Sequence, residues 1–327
     1  MAIIMLSHAL CKEGMDFLKQ NNVEVICHNT PDIKAHIDDF KRCDGYLLRI
    51  GSIDRELIES APNLKVIGRP GVGYDTIDVK AAAENGIPVV ITPGANSVSV
   101  AEATIGLMFA LAKNTLESVN EASKGNYNIR NKGASVELAG RTLGIVGFGN
   151  IGRNVGSMAK GIGMNVLAYD PFLPSNIIEK SGIEPVVNLT ELYERSDVVT
   201  LHVPMTKENQ HMINKESLRH FKNGSFLINC ARGALVDEDA LYEALVSGKI
   251  AGAAEDMMEK EPFDTASKLF TLPNFLATPH MAALTKESSA RAAVMSLTGM
   301  LEIINGKKCN YICNPEAYNH RKWQEAK

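Results

Sequence analysis

The sequence predicts an α/β protein of two doubly wound parallel-sheet domains, and three observations carry that prediction. Short apolar runs alternate with amphipathic stretches, which is the grammar of βαβ units. The alternation lapses once, in a long helical and then polar segment, and restarts at Leu143, so the chain runs through the pattern twice. At the restart a β-branched run meets Gly147-Phe148-Gly149-Asn150-Ile151-Gly152. Glycines at that spacing suit a strand that turns sharply into a helix over a dinucleotide. A chain of 327 residues, 45% hydrophobic, is also too large for one ordinary domain and suits two.

In chain order, the apolar N-terminus MAIIMLSHAL reads as a first buried strand. It lacks a basic lead and a small-residue cleavage site and is too short to span a bilayer. Ala2 to Leu6, Val23 to Ile26, Gly45 to Arg49, Leu64 to Gly68 and Val89 to Ile91 read as strands, with helical stretches such as Asp32 to Arg42 between them. Ser99 to Lys124 has helical periodicity and reads as one long helix, apolar on several faces, which must be buried by a second domain or a second subunit. Lys124 to Leu138 is polar and loop-like. After Leu143 to Val146 the strands are Val166 to Asp170, Asp197 to Val203, Ser225 to Ala231, Ile250 to Asp256 and Asn274 to His280, with a helix at Asp237 to Ser247. Ala282 to Asn305 is helical again, and the tail after Gly306 is polar and mixed.

Composition excludes several classes of function. The net charge of −4 offers no basic footprint for nucleic acid. Six cysteines are scattered without the rhythm of a disulfide scaffold, which fits a reducing, cytoplasmic setting. Only Cys309 and Cys313 stand close together, and His320 alone does not complete a metal site, so no metal is expected.

Three glycines alone are a weak signal, and Asp170 strengthens it. It ends a strand 18 residues past Gly152, where a carboxylate accepts hydrogen bonds from ribose hydroxyls and repels a 2′-phosphate, favouring NAD over NADP. Hydride transfer further needs an anion clamp and a proton donor. Arg232 follows the strand Ser225 to Asn229, and its guanidinium can hold a carboxylate through two hydrogen bonds. His280 follows another strand end, and an imidazole is the side chain whose ordinary pKa lies nearest working pH. Glu261 lies in the loop between and could pair with His280, holding the imidazolium charged and oriented. Arg49 and Arg69 stand in two further strand-end loops, where ligands collect; ordinary turn chemistry is the competing reading there.

The motifs Asn96 to Glu102, Gly144 to Gly152, Tyr169-Asp170-Pro171, Leu201-His202-Val203-Pro204, Asn229-Cys230-Ala231-Arg232-Gly233, Glu261-Pro262 and Thr278-Pro279-His280 together resemble the D-2-hydroxyacid dehydrogenases. That family includes phosphoglycerate dehydrogenase and the glyoxylate and hydroxypyruvate reductases. The resemblance runs from Gly45 to about Asn305. It implies a Rossmann NAD domain, residues 99-286, inserted into a flavodoxin-like substrate domain, residues 1-98 plus 287-327, with the catalytic cleft between them and dimers formed through the inserted domain. It implies that Arg232 anchors a 2-oxo-acid, that His280 is the acid/base and that Glu261 tunes it. It implies cofactor contacts from Gly147, Gly149, Asn150, Ile151, Gly152, Asp170, Pro204, Cys230, Ala231, Arg232 and His280, with Asp256 on the nicotinamide carboxamide. Backbone at Val72 and Gly73 is implied to receive the substrate carboxylate.

The expected activity is interconversion of a 2-oxo-acid and a D-2-hydroxy-acid, with 3-phosphoglycerate, hydroxypyruvate or glyoxylate as candidate substrates. Arg49 and Arg69 would bind a second anionic group. The alternative from another class is a NAD-sensing binding protein, like the co-repressors of the same fold. The chain is too short for the regulatory domain that many phosphoglycerate dehydrogenases carry, so feedback control by an amino acid is not expected. It also departs from the family pattern. Ala103 and Asn114 replace a histidine and a basic residue, and Glu255 with Met257 and Met258 replaces apolar residues and Val-Phe around Asp256.

Overall fold

The computed structural model describes residues 1–133 and 135–324. They divide into two compact units, one of Met1–Asn96 with the chain from Leu284 on, the other of Ser97–Ala283.

In the first unit β1 (Ile3–Leu6), α1 (Lys12–Gln20), β2 (Glu24–Cys27), α2 (Ile37–Arg42), β3 (Gly45–Leu47), α3 (Arg55–Ser60), β4 (Val66–Gly68), α4 (Val79–Glu84) and β5 (Val89–Val90) follow one another. The strands pair in parallel in the order β2, β1, β3, β4, β5. This flavodoxin-like order reverses its winding between β1 and β3. Successive side chains of a strand point to opposite faces, and both faces are covered. Ile4, Leu6, Leu47 and Val66 pack with Leu297 and Met300, while Met5, Tyr46, Leu48 and Ile67 pack with Phe40 and Ile58. That double burial is why these strands read as near-continuous apolar runs. Asp54 and Asp78 start α3 and α4 by accepting from Leu57 N and Ala81 N. The stretch Asp32 to Arg42 is a 3-10 turn at Lys34–His36 followed by α2.

The second unit opens with α5 (Ser97–Ala112) and α6 (Thr115–Ser123). The single long helix expected here is broken, because Asn114 adopts the left-handed conformation at φ +49°, which Asn tolerates far better than bulky residues. The expected loop beyond it contains a 3-10 turn at Tyr127–Lys132. Then come β6 (Thr142–Val146), α7 (Asn150–Gly161), β7 (Asn165–Tyr169), α8 (Ser175–Glu179), β8 (Glu184–Pro185), α9 (Leu189–Arg195), β9 (Val198–Leu201), α10 (Lys215–His220), β10 (Ser225–Asn229), α11 (Glu238–Val246), β11 (Ile250–Glu255) and β12 (Phe275–Ala277). The parallel order β8, β7, β6, β9, β10, β11, β12 is the Rossmann order with one strand added, and winding reverses between β6 and β9. The two-residue β8 is too short to be seen as a run in the sequence.

The last long helix, α12 (Lys286–Ile304), returns to the first unit. It starts four residues later than its apolar pattern suggests. Met281 N and Ala282 N are occupied by the Asp256 carboxylate, and Thr285 caps the helix at Ser288 N. The tail is less polar in effect than in composition. Ile312 bridges Val90 in antiparallel, and the fully buried Asn314 clamps Val89 N and Ile87 O with its amide. Among the described residues no helix is long and apolar enough to cross a membrane, and no cluster of three or more His, Cys, Asp or Glu is placed to hold a metal ion.

Candidate active site

The glycine turn after β6 shows three different reasons for glycine. Gly147 sits at φ +93°, and a Cβ there would stand 2.6 Å from the His202 carbonyl oxygen. A Cβ on Gly152 would lie 2.2 Å from the Gly147 carbonyl oxygen, so glycine lets α7 approach the strand. At Gly149 nothing among the described residues lies within 4 Å of a Cβ position. The protein itself does not require glycine there, which leaves an open backbone cradle. Gly149 is the N-cap of α7 and no side chain caps that helix, so its first N–H groups are available to an anion. Asn150 is exposed and Ile151 half-buried at the same helix start. Asp170, just after β7, accepts from Phe148 N at 2.9 Å and from Phe172 N at 3.0 Å. Its carboxylate therefore ties the glycine turn to the next strand end. Pro204 is exposed just after β9. An open cradle, an uncapped helix N-terminus and a strand-end carboxylate fit a dinucleotide with its pyrophosphate on α7 and its ribose toward Asp170.

The turn after β10 is organised by Asn229, whose side chain is fully buried. Its Oδ1 accepts from Ala231 N at 3.1 Å and its Nδ2 donates to Arg232 O at 2.9 Å, the local bonding that suits Asn to turns. Cys230 and Ala231 are buried under this turn and Arg232 is half-buried, with Nη1 donating to Ala231 O at 2.7 Å.

The loop after β12 is organised by Asp256. Its Oδ1 accepts from Thr278 Oγ1 at 2.5 Å and Met281 N at 2.9 Å, and its Oδ2 accepts from Ala282 N at 2.9 Å. Its carbonyl accepts from His280 N at 2.8 Å, fixing His280 in a left-handed conformation at φ +50°. The imidazole is thereby presented to solvent, 52% exposed, with Nδ1 3.1 Å from Glu261 Oε2. A carboxylate on Nδ1 orients the ring and leaves Nε2 for proton transfer. The structure thus brings Glu261 and His280 together. It places Arg232 and His280 at the carboxyl ends of β10 and β12, with Asp256 following β11 between them.

In the first unit Arg49 is exposed after β3 and Arg69 half-buried after β4. Arg69 Nε donates to Gly73 O at 2.9 Å, and its Nη1 to Leu48 O at 3.2 Å and Arg49 O at 2.6 Å. Arg49 Nη1 donates to Ala9 O at 3.3 Å. The loops carrying Arg49, Val72 and Gly73 are therefore laced together by guanidinium groups. Val72 itself is exposed.

Comparison with known proteins agrees with this geometry. Residues 105–282 match the NAD-binding domain of the D-isomer specific 2-hydroxyacid dehydrogenases. A D-3-phosphoglycerate dehydrogenase of Methanocaldococcus jannaschii is 40% identical over 316 residues, 96% of this chain and 60% of that protein. A hydroxypyruvate reductase of Thermotoga maritima is 42% identical over 247 residues, 74% of this chain and 78% of that protein. The solved structure of a D-2-hydroxyisocaproate dehydrogenase has TM-score 0.86 at 26% identity, over 96% of this chain and 100% of that one. The chain belongs to the D-isomer-specific 2-hydroxyacid dehydrogenase family.

Its cofactor is accordingly NAD. The chain spans about 60% of the length of the phosphoglycerate dehydrogenases it matches. Several residues that shape this site carry no signal in their residue type alone. Asn229 and Thr278 lay inside quoted motifs, but their role is to brace a turn, which residue type alone does not reveal. His202 contrasts with His280. Its Nδ1 is shielded from solvent, its Nε2 meets Thr200 Oγ1 at 3.0 Å, and desolvation pushes its pKa down to about 3, so it stays neutral. Glu255, noted only as a departure from the family, is fully buried beside Asn229.

Proposed function

We propose that this chain is an NAD-dependent oxidoreductase interconverting a 2-oxo-acid and a D-2-hydroxy-acid. The observation that carries the reading is the His280–Glu261 pair, held at the strand end next to β11 in the NAD-binding unit. Arg232 binds the substrate carboxylate and polarises the adjacent carbonyl. When bound, the nicotinamide supplies or accepts the hydride. In the reducing direction His280 delivers the proton from Nε2 to the carbonyl oxygen, and in the oxidising direction it takes it back. Glu261 holds the proton on Nδ1 and stabilises the imidazolium. Gly147 to Gly152, Asp170, Pro204, Cys230, Ala231 and Asp256 border the cofactor, and backbone at Val72 and Gly73 receives the carboxylate.

Arg49 and Arg69 bind a second anionic group in this reading, which selects phosphorylated or doubly charged substrates such as 3-phosphoglycerate over glyoxylate. The domain roles follow: Met1–Asn96 with α12 for substrate, Ser97–Ala283 for NAD. A cytoplasmic setting is in keeping with six free cysteines, and a homodimer through the NAD-binding unit is supported by α6, which buries no residue. Leu116 and Val119 are 53% and 59% exposed on one helical face, and nearby Tyr127 is 75% exposed. The co-repressor reading is not favoured, since the matching relatives carry the names of dehydrogenases and reductases. The test is turnover of NADH against 2-oxo-acids with and without a distal phosphate. Reduction of at least one of them to the D-isomer is expected, and NADH binding with negligible rate on all of them would refute the reading.

A further inference from the structure

Glu255 ends β11, the strand between those that carry Arg232 and His280, and its register partners are Asn229 and Ala277. It is a carboxyl group with 0% exposure. Its Oε1 accepts from Asn229 Nδ2 at 3.4 Å, and its Oε2 is buried with no hydrogen-bond partner among the described residues. The same Asn229 amide nitrogen donates to Arg232 O, and its oxygen accepts from Ala231 N. One side-chain amide thus joins a buried acid to the backbone of the turn that presents Arg232. The carbonyl of Glu255 also accepts from Thr278 N at 3.0 Å, at the base of the His280 loop. A buried carboxyl on a strand is costly to keep, and an apolar residue would fill the space without that cost, so the group asks for a role.

We propose that Glu255 is a positioning residue for the substrate anchor, setting the Arg232 turn through Asn229. The proposal rests on Arg232 holding the substrate carboxylate. Burial pushes the Glu255 carboxyl up to about 8 against the opposing hydrogen bond from Asn229. The like charges of Glu238, in the first turn of α11, and Glu259, in the loop after β11, push the same way. Cys230, its own thiol raised to about 12 by burial, feels the charges of Glu255 and of Asp256. Below pH 8 Glu255 is the neutral acid and accepts one long hydrogen bond, at 3.4 Å. When it ionises, the charge draws Asn229 Nδ2 more strongly and shifts the amide whose second N–H holds Arg232 O. The anchor turn then moves with pH.

Two measurements test this on the full chain. Backbone amide NMR from pH 6 to 9.5 is expected to show Ala231 and Gly233 shifting with a common midpoint near pH 8, and the step is expected to vanish in Glu255→Gln. Steady-state kinetics with NADH and hydroxypyruvate are expected to show KM rising above that midpoint in the native enzyme but not in Glu255→Gln. Glu255→Leu should raise KM at pH 7 by about tenfold, the worth of one hydrogen bond to the turn, with a smaller change in kcat. Glu255→Gln should bring KM back to within about twofold of the native value by restoring that bond. The proposal is overturned if the amides of the turn do not titrate, or if Glu255→Leu keeps the native KM and pH profile. Absence of turnover in the native chain would overturn the proposed function instead, and the amide titration would still decide the role of Glu255.

Discussion

The carboxyl edges of the two sheets hold their loops by opposite means. In the NAD-binding unit, buried side chains other than the reactive groups brace the backbone of the loops that carry them. Asn229 organises the turn before Arg232, and Asp256 organises the loop around His280. In the first unit the arginines brace the loops themselves, Arg69 spanning Leu48 O, Arg49 O and Gly73 O. Division of labour lets a scaffold residue and a chemical residue be lost separately. Where one guanidinium does both, structure and specificity fail together.

The sharpest way to break the comparison is at His280. His280→Ala should lower kcat by about 10²–10⁴ while melting temperature and NADH affinity hold, since the imidazole meets the Glu261 side chain rather than a backbone group. Parallel loss of folding would erase the distinction drawn for this edge. Asp256→Ala should lower stability as well as activity. It strips three hydrogen bonds from a buried carboxylate and should cost roughly 4.5 kcal/mol in urea unfolding, at about 1.5 kcal/mol for each bond to a charged acceptor.

Glu255 sharpens the cost of such bracing. Its folded pKa is raised from 4.5 to about 8, so below pH 4.5 both folded and unfolded chains carry the proton and stability is intact. As pH rises above 4.5 the unfolded chain ionises first, and stability is lost progressively until the folded group ionises near 8. Glu255→Gln has no such dependence. Its advantage in unfolding free energy should grow from near zero at pH 4 to on the order of 3 kcal/mol at pH 7, at about 1.4 kcal/mol per pH unit. Equal pH slopes for both proteins would show that the carboxyl is not held neutral.

The smallest effect is expected at Arg69. Arg69→Ala should shift the ratio of KM values for doubly and singly charged substrates by about tenfold and also loosen the loop at Gly73, seen as faster amide exchange. An unchanged ratio would leave Arg69 as a brace only.

Much of this was legible beforehand because it depends on local pattern. Short, near-continuous apolar runs separated by amphipathic stretches specify parallel strands and helices, and strand ends in such sheets are where Arg232 and His280 had to stand to be useful. Gly147 and Gly152 are legible because a tight turn and a close helix exclude every Cβ. The break at Asn114 was not, since helix periodicity continues through it and only the left-handed backbone interrupts it. The late start of α12 was hidden for a related reason: Ala282 has the right polarity for a helix, but its N–H belongs to Asp256, 26 residues earlier.

By itself, the sequence determined the two sheets, the glycine turn with Asp170, and the residue types that hydride transfer to a carboxylate substrate needs. Those follow from steric rules and chemistry that act within a few residues. Tertiary structure alone decided that Asp256 holds the His280 loop, that Asn229 links Glu255 to the Arg232 turn, and that Arg69 spends donors on its own loops. Each of these is a hydrogen bond between strand ends far apart in the chain, and burial rather than residue type sets its strength.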